Sequence, residues 1–383
     1  LTNVSASSLS GNPSINTTGI VTATAFIPTT GQLSHRNLLI NGEMKINQRV
    51  QTGTLGYFNP VTGSIYTLDR WKVLNAQSFD TDSAQVTQES SAPDGFRNSI
   101  QMNIGNTETP TTNQVCGFEQ KVEAQDVQHL KYGTSGAETM TLSFWVYSNK
   151  TGTYSVQLIH EDVSKYVLYS YTIDSSNTWE KKTITISGNT SNYITDDNGI
   201  GLIVTWVLCA GSGRQYSATD SWSSGGSYYA VTGQVNLWDH ADNYFRMTGC
   251  QLEIGTTASE FEHRSFGEEL ALCQRYFFKV QGDSGDRVAI GGYSTHASEA
   301  RFDAVFPVTM RTNPTLSGTG SAQFDAQTDS DDFNCSNLTI DNTPTGLVSG
   351  IGLQISSSGM TGGQSGGIRF RENNSSISFA AEL

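Results

Sequence analysis

Charged side chains are scarce in this 383-residue chain, where they make up 15% of the residues against about a quarter in typical globular domains. Acidic residues outnumber basic ones by 36 to 22, which gives a formal net charge of −14. A nucleic-acid surface requires clustered Lys and Arg to neutralise phosphates. We therefore expect no nucleic-acid partner.

Long apolar runs are also absent. No stretch approaches the roughly 18 consecutive apolar residues that a membrane helix requires, and the first residues lack the basic and apolar regions of a signal peptide. We expect no membrane insertion and no export signal. Because the chain begins at Leu1, we also expect it to be the distal part of a longer polypeptide.

Cysteine is rare, with five residues, widely spaced and without a C-x-x-C pair. An odd number at such spacings argues against a disulfide framework and against a structural zinc site. The sequence therefore predicts buried free thiols in a protein that is made in a reducing cytoplasm.

Catalytic motifs are missing as well. The sequence has no H-E-x-x-H, no G-x-S-x-G and no P-loop, and its six histidines are scattered singly. Acidic segments at 80–82 and 325–332 offer oxygen ligands for calcium but do not fit the EF-hand pattern, so solvated turns are the favoured interpretation. We expect no enzyme activity, no catalytic residues, no metal and no cofactor.

What the sequence does contain is glycine, with 38 residues, and period-2 alternation between turns, which is typical of antiparallel sheets with one buried face. The apolar residues from Met140 to Val146 alternate with outward positions, and Lys150 to Gly152 forms a turn into the next strand, which predicts a hairpin. Similar strands recur every 10–20 residues up to Ile254. The predicted fold class is all-β, with a jelly-roll-like antiparallel β-sandwich.

Four segments follow from this pattern. Residues 1–35 are almost free of charge and contain a weak repeat with a spacing of 17, which predicts an extended N-terminal β linker that trimerises, or alternatively a low-complexity linker. Residues 36–264 form the sandwich. Residues 265–277 form a linking helix capped by Ser265, with Phe266, Leu270, Cys273 and Phe277 on one face. Residues 278–383 form a smaller C-terminal β-domain, which we expect to be distal.

One loop carries an unusual number of aromatic residues. Aromatic rings stack on sugar rings and neighbouring polar groups bind hydroxyls, so this loop is a candidate glycan-binding surface. The alternative is that its rings fold back and cover the sandwich, while Trp145, Trp179 and Trp206 are expected to be packing residues. The candidate glycan-binding residues are Arg214, Tyr216, Asp220, Trp222, Tyr228 and Tyr229.

Several long strings resemble a domain that recurs in tail-fibre proteins of bacteriophages. In chain order they are HRNLLINGEMKINQR at 35–49, LDRW at 68–71, LSFWV at 142–146, NTWEKKTITI at 177–186, QLEIG at 251–255 and FEHRSFGEELALCQRYF at 261–277. The endings FPVTMR at 306–311 and SFAAEL at 378–383 resemble the usual end of that family, and the N-terminal repeats resemble linkers in fibres of cyanobacterial phages.

The resemblance implies a virion tail fibre that is made in the host cytoplasm, forms a homotrimer, joins other tail proteins through its missing N-terminal part and contacts a host surface glycan. It does not fix any sugar-contacting position. The motif residues are interpreted as fold determinants, with Asp69, Arg70 and Trp71 docking strands and Glu262, His263 and Arg264 forming the corner between strand and helix. Two alternatives remain open, a purely structural collar or baseplate appendage and a glycan depolymerase.

Overall fold

The computed structural model describes residues 34–49, 54–57, 64–76, 84–219, 221–225, 228–318, 324–328, 331–335, 337–341 and 348–383. Nearly all of the predicted N-terminal linker, the acidic segment 80–82 and Asp220 lie outside the described residues. The predictions made for them stay predictions.

The described chain forms fifteen strands before its α-helix. They are β1 (Thr54–Tyr57), β2 (Ile65–Tyr66), β3 (Lys72–Ala76), β4 (Ala84–Glu89), β5 (Ser99–Ile104), β6 (Val115–Glu123), β7 (Met140–Ser148), β8 (Gly152–His160), β9 (Lys165–Ile173), β10 (Glu180–Ile186), β11 (Ile200–Ala210), β12 (Gln215–Tyr216), β13 (Ser223–Ser224), β14 (Ala230–Val231) and β15 (Tyr244–Ile254). Short 3-10 turns lie at Ala124–Leu130, Glu161–Val163, Ser212–Arg214 and Leu237–Asp239.

These strands build two antiparallel sheets that face each other. Among the described residues, sheet 1 has the order β1-β4-β5-β15-β7-β10 and sheet 2 the order β13-β9-β8-β11-β6-β3-β2. The short strands β12 and β14 pair in parallel beside them. The all-β, jelly-roll-like antiparallel sandwich that the sequence predicts is confirmed.

The predicted hairpin is wrong. β7 pairs with β10 and β15 in sheet 1, whereas β8 pairs with β9 and β11 in sheet 2. Three residues connect them, and Gly152 has a φ of 122°, which favours glycine at the crossing between the sheets. Alternation marks a buried face but not the partner strand, so the sequence could not distinguish a turn from a crossover.

The sandwich core is rich in aromatic residues because both sheets direct alternate side chains inward. The rings of Trp71 and Trp206 are 5.4 Å apart, and Phe144 of sheet 1 meets the Trp206 of sheet 2 edge-on at 5.7 Å. All three are fully buried. Trp206 is therefore a packing residue, as expected.

One α-helix, α1 (Phe266–Gln274), follows the sandwich. It begins as predicted, since the Ser265 hydroxyl accepts a hydrogen bond from the Glu268 amide at 3.2 Å. Its buried face differs from the prediction, because Glu269 and Cys273 are buried while Phe266 is 60% exposed. Glu269 accepts a hydrogen bond from the Asn41 amide, and this contact fixes how the helix is turned.

The C-terminal part of the described chain contains ten strands and its own core. The strands are β16 (Phe277–Gly282), β17 (Arg287–His296), β18 (Glu299–Met310), β19 (Thr315–Gly318), β20 (Phe324–Thr328), β21 (Asp332–Asn334), β22 (Asn337–Asp341), β23 (Val348–Ser356), β24 (Ser365–Phe370) and β25 (Ser375–Ala380). They form the antiparallel sheets β16-β25-β19 and β21-β20-β24-β17-β18-β23-β22. Phe302, Phe306, Leu353 and Phe379 belong to a core cluster separate from that of the sandwich.

The motif residues 35–49 connect the sandwich to the helix. The Asn41 side chain donates to the carbonyl groups of Ile46 and Asp69, and the Trp71 indole donates to the Asn41 carbonyl at 2.9 Å. Asp69 accepts from the amide and side chain of Gln48. The segment is thus held to the 68–71 motif by buried hydrogen bonds.

The second motif forms the corner before the helix. Glu262 accepts from the Asn37 amide at 2.9 Å, and its pKa lies below the usual range because these backbone bonds and Arg264 outweigh the opposing effect of burial. Arg264 donates to the Leu39 carbonyl and contacts Glu269 at 3.4 Å. These contacts support the interpretation of both motifs as fold determinants.

The chain's last residues are bound to the sandwich. The Glu382 carboxylate contacts both Arg49 and Arg70, and the guanidinium of Arg70 lies 3.5 Å from the centre of the Tyr276 ring. Tyr66 donates to the Leu383 carbonyl at 2.7 Å. This cluster, which we call the junction (Arg49, Tyr66, Arg70, Tyr276 and Glu382), joins the C-terminal β-domain to the sandwich.

All five cysteines are buried free thiols, as the sequence predicts. Burial raises their pKa values, for Cys335 to about 11. In the part of the chain that the structure describes, no helix is long and apolar enough to cross a membrane.

Candidate functional site

Two of the predicted glycan-binding residues form a stacked pair beside sheet 2. The rings of Tyr216 and Tyr228 stack with their centres 4.4 Å apart, and Tyr166 of β9 lies 6.0 Å from Tyr228. Tyr216 is 48% exposed. Tyr166 is buried at 2% exposure and supports Tyr228 from below, so a sugar ring could contact only Tyr216 and the partly buried Tyr228.

The structure places the other predicted residues differently. The Trp222 indole donates to the Ser187 carbonyl at 2.7 Å, and its ring meets Tyr132 and His160 edge-on, so it folds back onto the sandwich. Tyr229 packs against a small apolar cluster and has Arg214 6.0 Å from its ring centre. For Trp222 and Tyr229 the geometry favours the alternative interpretation, in which rings cover the sandwich.

A second aromatic surface lies on the outward face of sheet 1. We call it the aromatic strip (Tyr147, Trp179, Tyr244 and Arg246). Tyr147 is 5.2 Å from Trp179 and stacks on Tyr244 at 5.9 Å between ring centres. The Arg246 guanidinium lies 5.2 Å from the centres of both tyrosine rings. All four side chains are half-buried.

Strand register explains why these side chains meet. Arg246 of β15 is directly opposite Tyr147 of β7 on one side and Gln101 of β5 on the other. Their chain neighbours Phe245 and Val146 point into the core, so the strip residues point outward. The Nε of Arg246 donates to the Gln101 side chain, which orients the guanidinium over the rings.

The loop before β10 brings Trp179 to the strip. Asn177 has a φ of 56°, its amide donates to the Ser148 carbonyl and its side chain accepts from the Tyr244 hydroxyl at 2.5 Å. Glu180 accepts from the amides of Asp174 and Ser175. Burial acts to raise the pKa of Glu180, but bonds from Lys182 and these amides hold it below its usual range. These hydrogen bonds therefore hold the loop in the conformation that places Trp179 beside Tyr147.

More aromatic residues adjoin the strip along sheet 1. Trp145 lies two residues before Tyr147 on the same face, beside a bulge in β15 where Gly249 has a φ of 60°. A Cβ atom at Gly249 would come within 2.7 Å of Phe96 and 3.0 Å of Trp145. Phe96 in turn meets Phe261 edge-on at 5.0 Å. Glycine at this position lets the rings close over the strand.

The sequence interpretation missed this surface because it treated Trp145 and Trp179 as packing residues. Both do contact neighbouring side chains, but they lie on the outward face and are only partly buried, so they also form part of the surface. The available signal was the alternation itself, in which Trp145 and Tyr147 occupy the polar phase of β7. That Arg246 and Trp179 join them depends on pairing between distant strands.

The remaining chemical groups serve the fold. Asp325 and Asp332, from the acidic segment 325–332, both contact Arg369. His160 is buried, bonds to Asn189 at 2.9 Å and has a pKa lowered by burial. Among the described residues, no group of three or more His, Cys, Asp or Glu side chains could hold a metal ion.

A cavity of about 630 Å³ lies between the sandwich, α1 and β18. Its lining includes Leu38, Ile40 and Leu272, with Arg264 and Arg275 among its polar groups. Both arginines are engaged, Arg264 with Glu269 and Arg275 with Glu123, whose carboxylate it contacts through two nitrogens. The cavity therefore lies where α1 and the C-terminal β-domain meet the sandwich.

No family model and no curated protein matches the chain. Several solved structures resemble part of this chain weakly. The enzymatically active domain of bacteriophage CBA120 tailspike protein 4 is 14% identical over 52% of this chain, with a TM-score of 0.28, and the match spans 22% of the tailspike chain. A sugar-binding protein of Bacteroides thetaiotaomicron is 12% identical over 57% of this chain and all of its own, at a TM-score of 0.32.

A family 11 carbohydrate-binding module of Clostridium thermocellum is 10% identical over 55% of this chain and all of its own, at a TM-score of 0.25. All of these TM-scores lie below 0.5. These likenesses therefore assign neither a family nor a function.

Proposed function

We propose that this chain is the glycan-binding part of a virion tail fibre and attaches a phage to the host surface without cleaving the glycan. The observation that carries the proposal is the aromatic strip. Three aromatic side chains gathered on the outward face of a rigid sheet, with polar groups between them, suit stacking against sugar rings and bonding to hydroxyls. The motif strings at 35–49 and 261–277 supply the link to phage fibres.

Non-catalytic binding is favoured by the settings of two carboxylates of sheet 1, Glu180 beside the strip and Glu253 towards the other end of β15. A glycosidase needs a general acid with a raised pKa and a second carboxylate about 5–10 Å away. Glu180 has a lowered pKa and is held by backbone amides. Glu253 accepts from Gln251 and Ser259 on the same face of the sheet. Neither carboxylate is in a setting that suits a general acid.

A pull-down with envelopes of candidate bacterial hosts tests the proposal. We expect saturable binding by the chain, and a loss of about tenfold when Tyr147→Ala and Trp179→Ala remove two stacking rings at roughly 0.5–1.5 kcal/mol each. Tyr293→Ala is the matched control, because Tyr293 is 53% exposed on the C-terminal β-domain. Tyr216→Ala tests the loop surface in the same way.

Each other outcome selects an alternative. If Tyr216→Ala abolishes binding while Tyr147→Ala leaves it intact, the site lies at the edge of sheet 2. If no envelope retains the chain, the structural appendage becomes the better explanation, which the ion-paired junction between the domains also favours. Release of soluble sugar from the envelopes would establish the depolymerase.

A further inference from the structure

Arg246 differs from the arginines that form ion pairs within the fold. In the described part of the chain, no carboxylate lies within ion-pair distance of its guanidinium, although acidic residues outnumber basic ones. Six other arginines contact a carboxylate, namely Arg49, Arg70, Arg264, Arg275, Arg301 and Arg369. The charge of Arg246 is therefore not balanced by a carboxylate of the described residues.

The guanidinium is nevertheless held in one place. Its Nε bonds to Gln101, and Gln101 is itself bonded to Asn103 in the same strand. The rings of Tyr147 and Tyr244 lie beside it at 5.2 Å, a cation–π contact that fixes its plane. The two terminal nitrogens make no hydrogen bond to another described residue. A pre-oriented planar fork of this kind matches a carboxylate through two parallel hydrogen bonds.

The charged residues around the strip also favour binding of an anion. Lys181 is exposed and lies opposite Trp145 on the outward face of β10. Glu180, next to Trp179, contacts Lys182 and makes no ion pair with Arg246. Arg246 and Lys181 thus place two positive charges on the outward face of sheet 1 in a chain whose net charge is −14. Non-specific attraction of polyanions is disfavoured on such a chain, so binding of an anion must depend on this local charge.

We propose that the aromatic strip binds a polysaccharide that contains uronic acid, with sugar rings stacked on Tyr147 and Trp179 and the carboxylate paired with Arg246. This inference rests on the proposed function and names its ligand class. Stacking alone accepts neutral and acidic sugars alike. Arg246 supplies the selectivity, because a neutral sugar that covers the half-buried guanidinium removes water from it without supplying an anion, and this costs binding energy.

The inference is tested by measuring how the full 383-residue chain binds two polymers. One is polygalacturonate, and the other is the same polymer after its carboxylates have been reduced to hydroxymethyl groups. At constant ionic strength we expect polygalacturonate to bind about tenfold more tightly or better. Arg246→Gln should remove this preference and leave the affinity for the reduced polymer unchanged. Arg246→Lys should retain part of the preference, since it keeps the charge but loses the planar fork. Arg301→Gln, on the C-terminal β-domain, is the matched control.

Equal affinity for the two polymers, or a preference that survives Arg246→Gln in a variant with the circular dichroism of the parent, overturns the inference. Failure to bind polygalacturonate also overturns it. The proposed function is tested separately by the envelope pull-down. If envelopes retain the chain but polygalacturonate does not bind, only the proposed ligand class is contradicted.

Discussion

Replacing Glu382 by Gln should weaken the contact between the C-terminal β-domain and the sandwich, so that the two domains no longer unfold together. The Glu382 carboxylate is the anion paired with Arg70, which is 1% exposed, and with Arg49, which is 14% exposed at its side chain. Burial disfavours the charged form of Arg70, yet Glu382 keeps its pKa above the usual value. Glutamine preserves the shape but removes the charge. Arg70 is then left buried and unpaired.

The expected cost is about 3–5 kcal/mol, which is typical when one partner of a buried ion pair is removed. Arg49 adds little, since it can turn toward water. A double variant that also carries Arg70→Met should recover much of the loss, because the uncompensated charge is gone. Recovery would separate the electrostatic cause from a general disturbance of the chain end.

Urea unfolding followed by two probes measures this cost. All six tryptophans (Trp71, Trp145, Trp179, Trp206, Trp222 and Trp238) belong to the sandwich, so fluorescence reports that domain, while circular dichroism reports both. We expect the two curves to coincide in the parent chain and to separate in Glu382→Gln, with the circular dichroism transition moving first. Asp303→Asn, an exposed carboxylate on β18, is the control. A loss under 1 kcal/mol by both probes would refute the role of the junction.

Two further predictions concern single side chains of the sandwich. Trp222→Ala should lower the free energy of unfolding by about 2–3 kcal/mol, which is less than the ~3–5 kcal/mol typical of a fully buried Trp, and should leave envelope binding unchanged. Circular dichroism in urea measures the first effect and the pull-down measures the second. Loss of binding without loss of stability would contradict the assignment of Trp222 as a packing residue. Burial lowers the pKa of His160, although Asp162 opposes the shift. In the unfolded chain the His160 imidazole binds a proton near pH 6.5, whereas in the folded chain it does so only at lower pH. The contribution of His160 to the free energy of unfolding is therefore complete above pH 6.5 and is lost as the pH falls toward the pKa of the folded state. His160→Gln should flatten this fall in urea midpoints compared between pH 7.5 and 5.5, and an unchanged slope would contradict it.

The fold was largely predictable because each strand carries its own buried face. The last strand of the sandwich ends at Ile254, as expected, and the Ser265 cap lies where the helix starts. The hairpin after β7 was wrong because pairing is a property of two strands, and the sandwich places β7 and β8 in opposite sheets. Periodicity within one segment contains no information on that choice.

The candidate site was less predictable, and for the same reason. The loop aromatics were visible in sequence, but whether a ring turns outward depends on its hydrogen-bond partner, as the bond from Trp222 to Ser187 shows. The aromatic strip combines Tyr147, Trp179 and the β15 residues Tyr244 and Arg246 from three separate stretches, and Gln101 from a fourth stretch orients Arg246. Register, which only the assembled sheet defines, places Gln101, Arg246 and Tyr147 in one row.

The two arginine environments can be compared directly. At the junction, Glu382 already occupies the guanidinium groups of Arg49 and Arg70, so an anionic polymer would have to displace a buried carboxylate to bind there. At the aromatic strip, Arg246 is oriented by Gln101 and two tyrosine rings, and displacement of a carboxylate is not required. An acidic glycan should therefore bind the sheet face and leave the junction intact. If polygalacturonate instead altered the unfolding of Glu382→Gln more than that of the parent chain, the ligand would be binding at the vacated junction, and the assignment of Arg246 would fail.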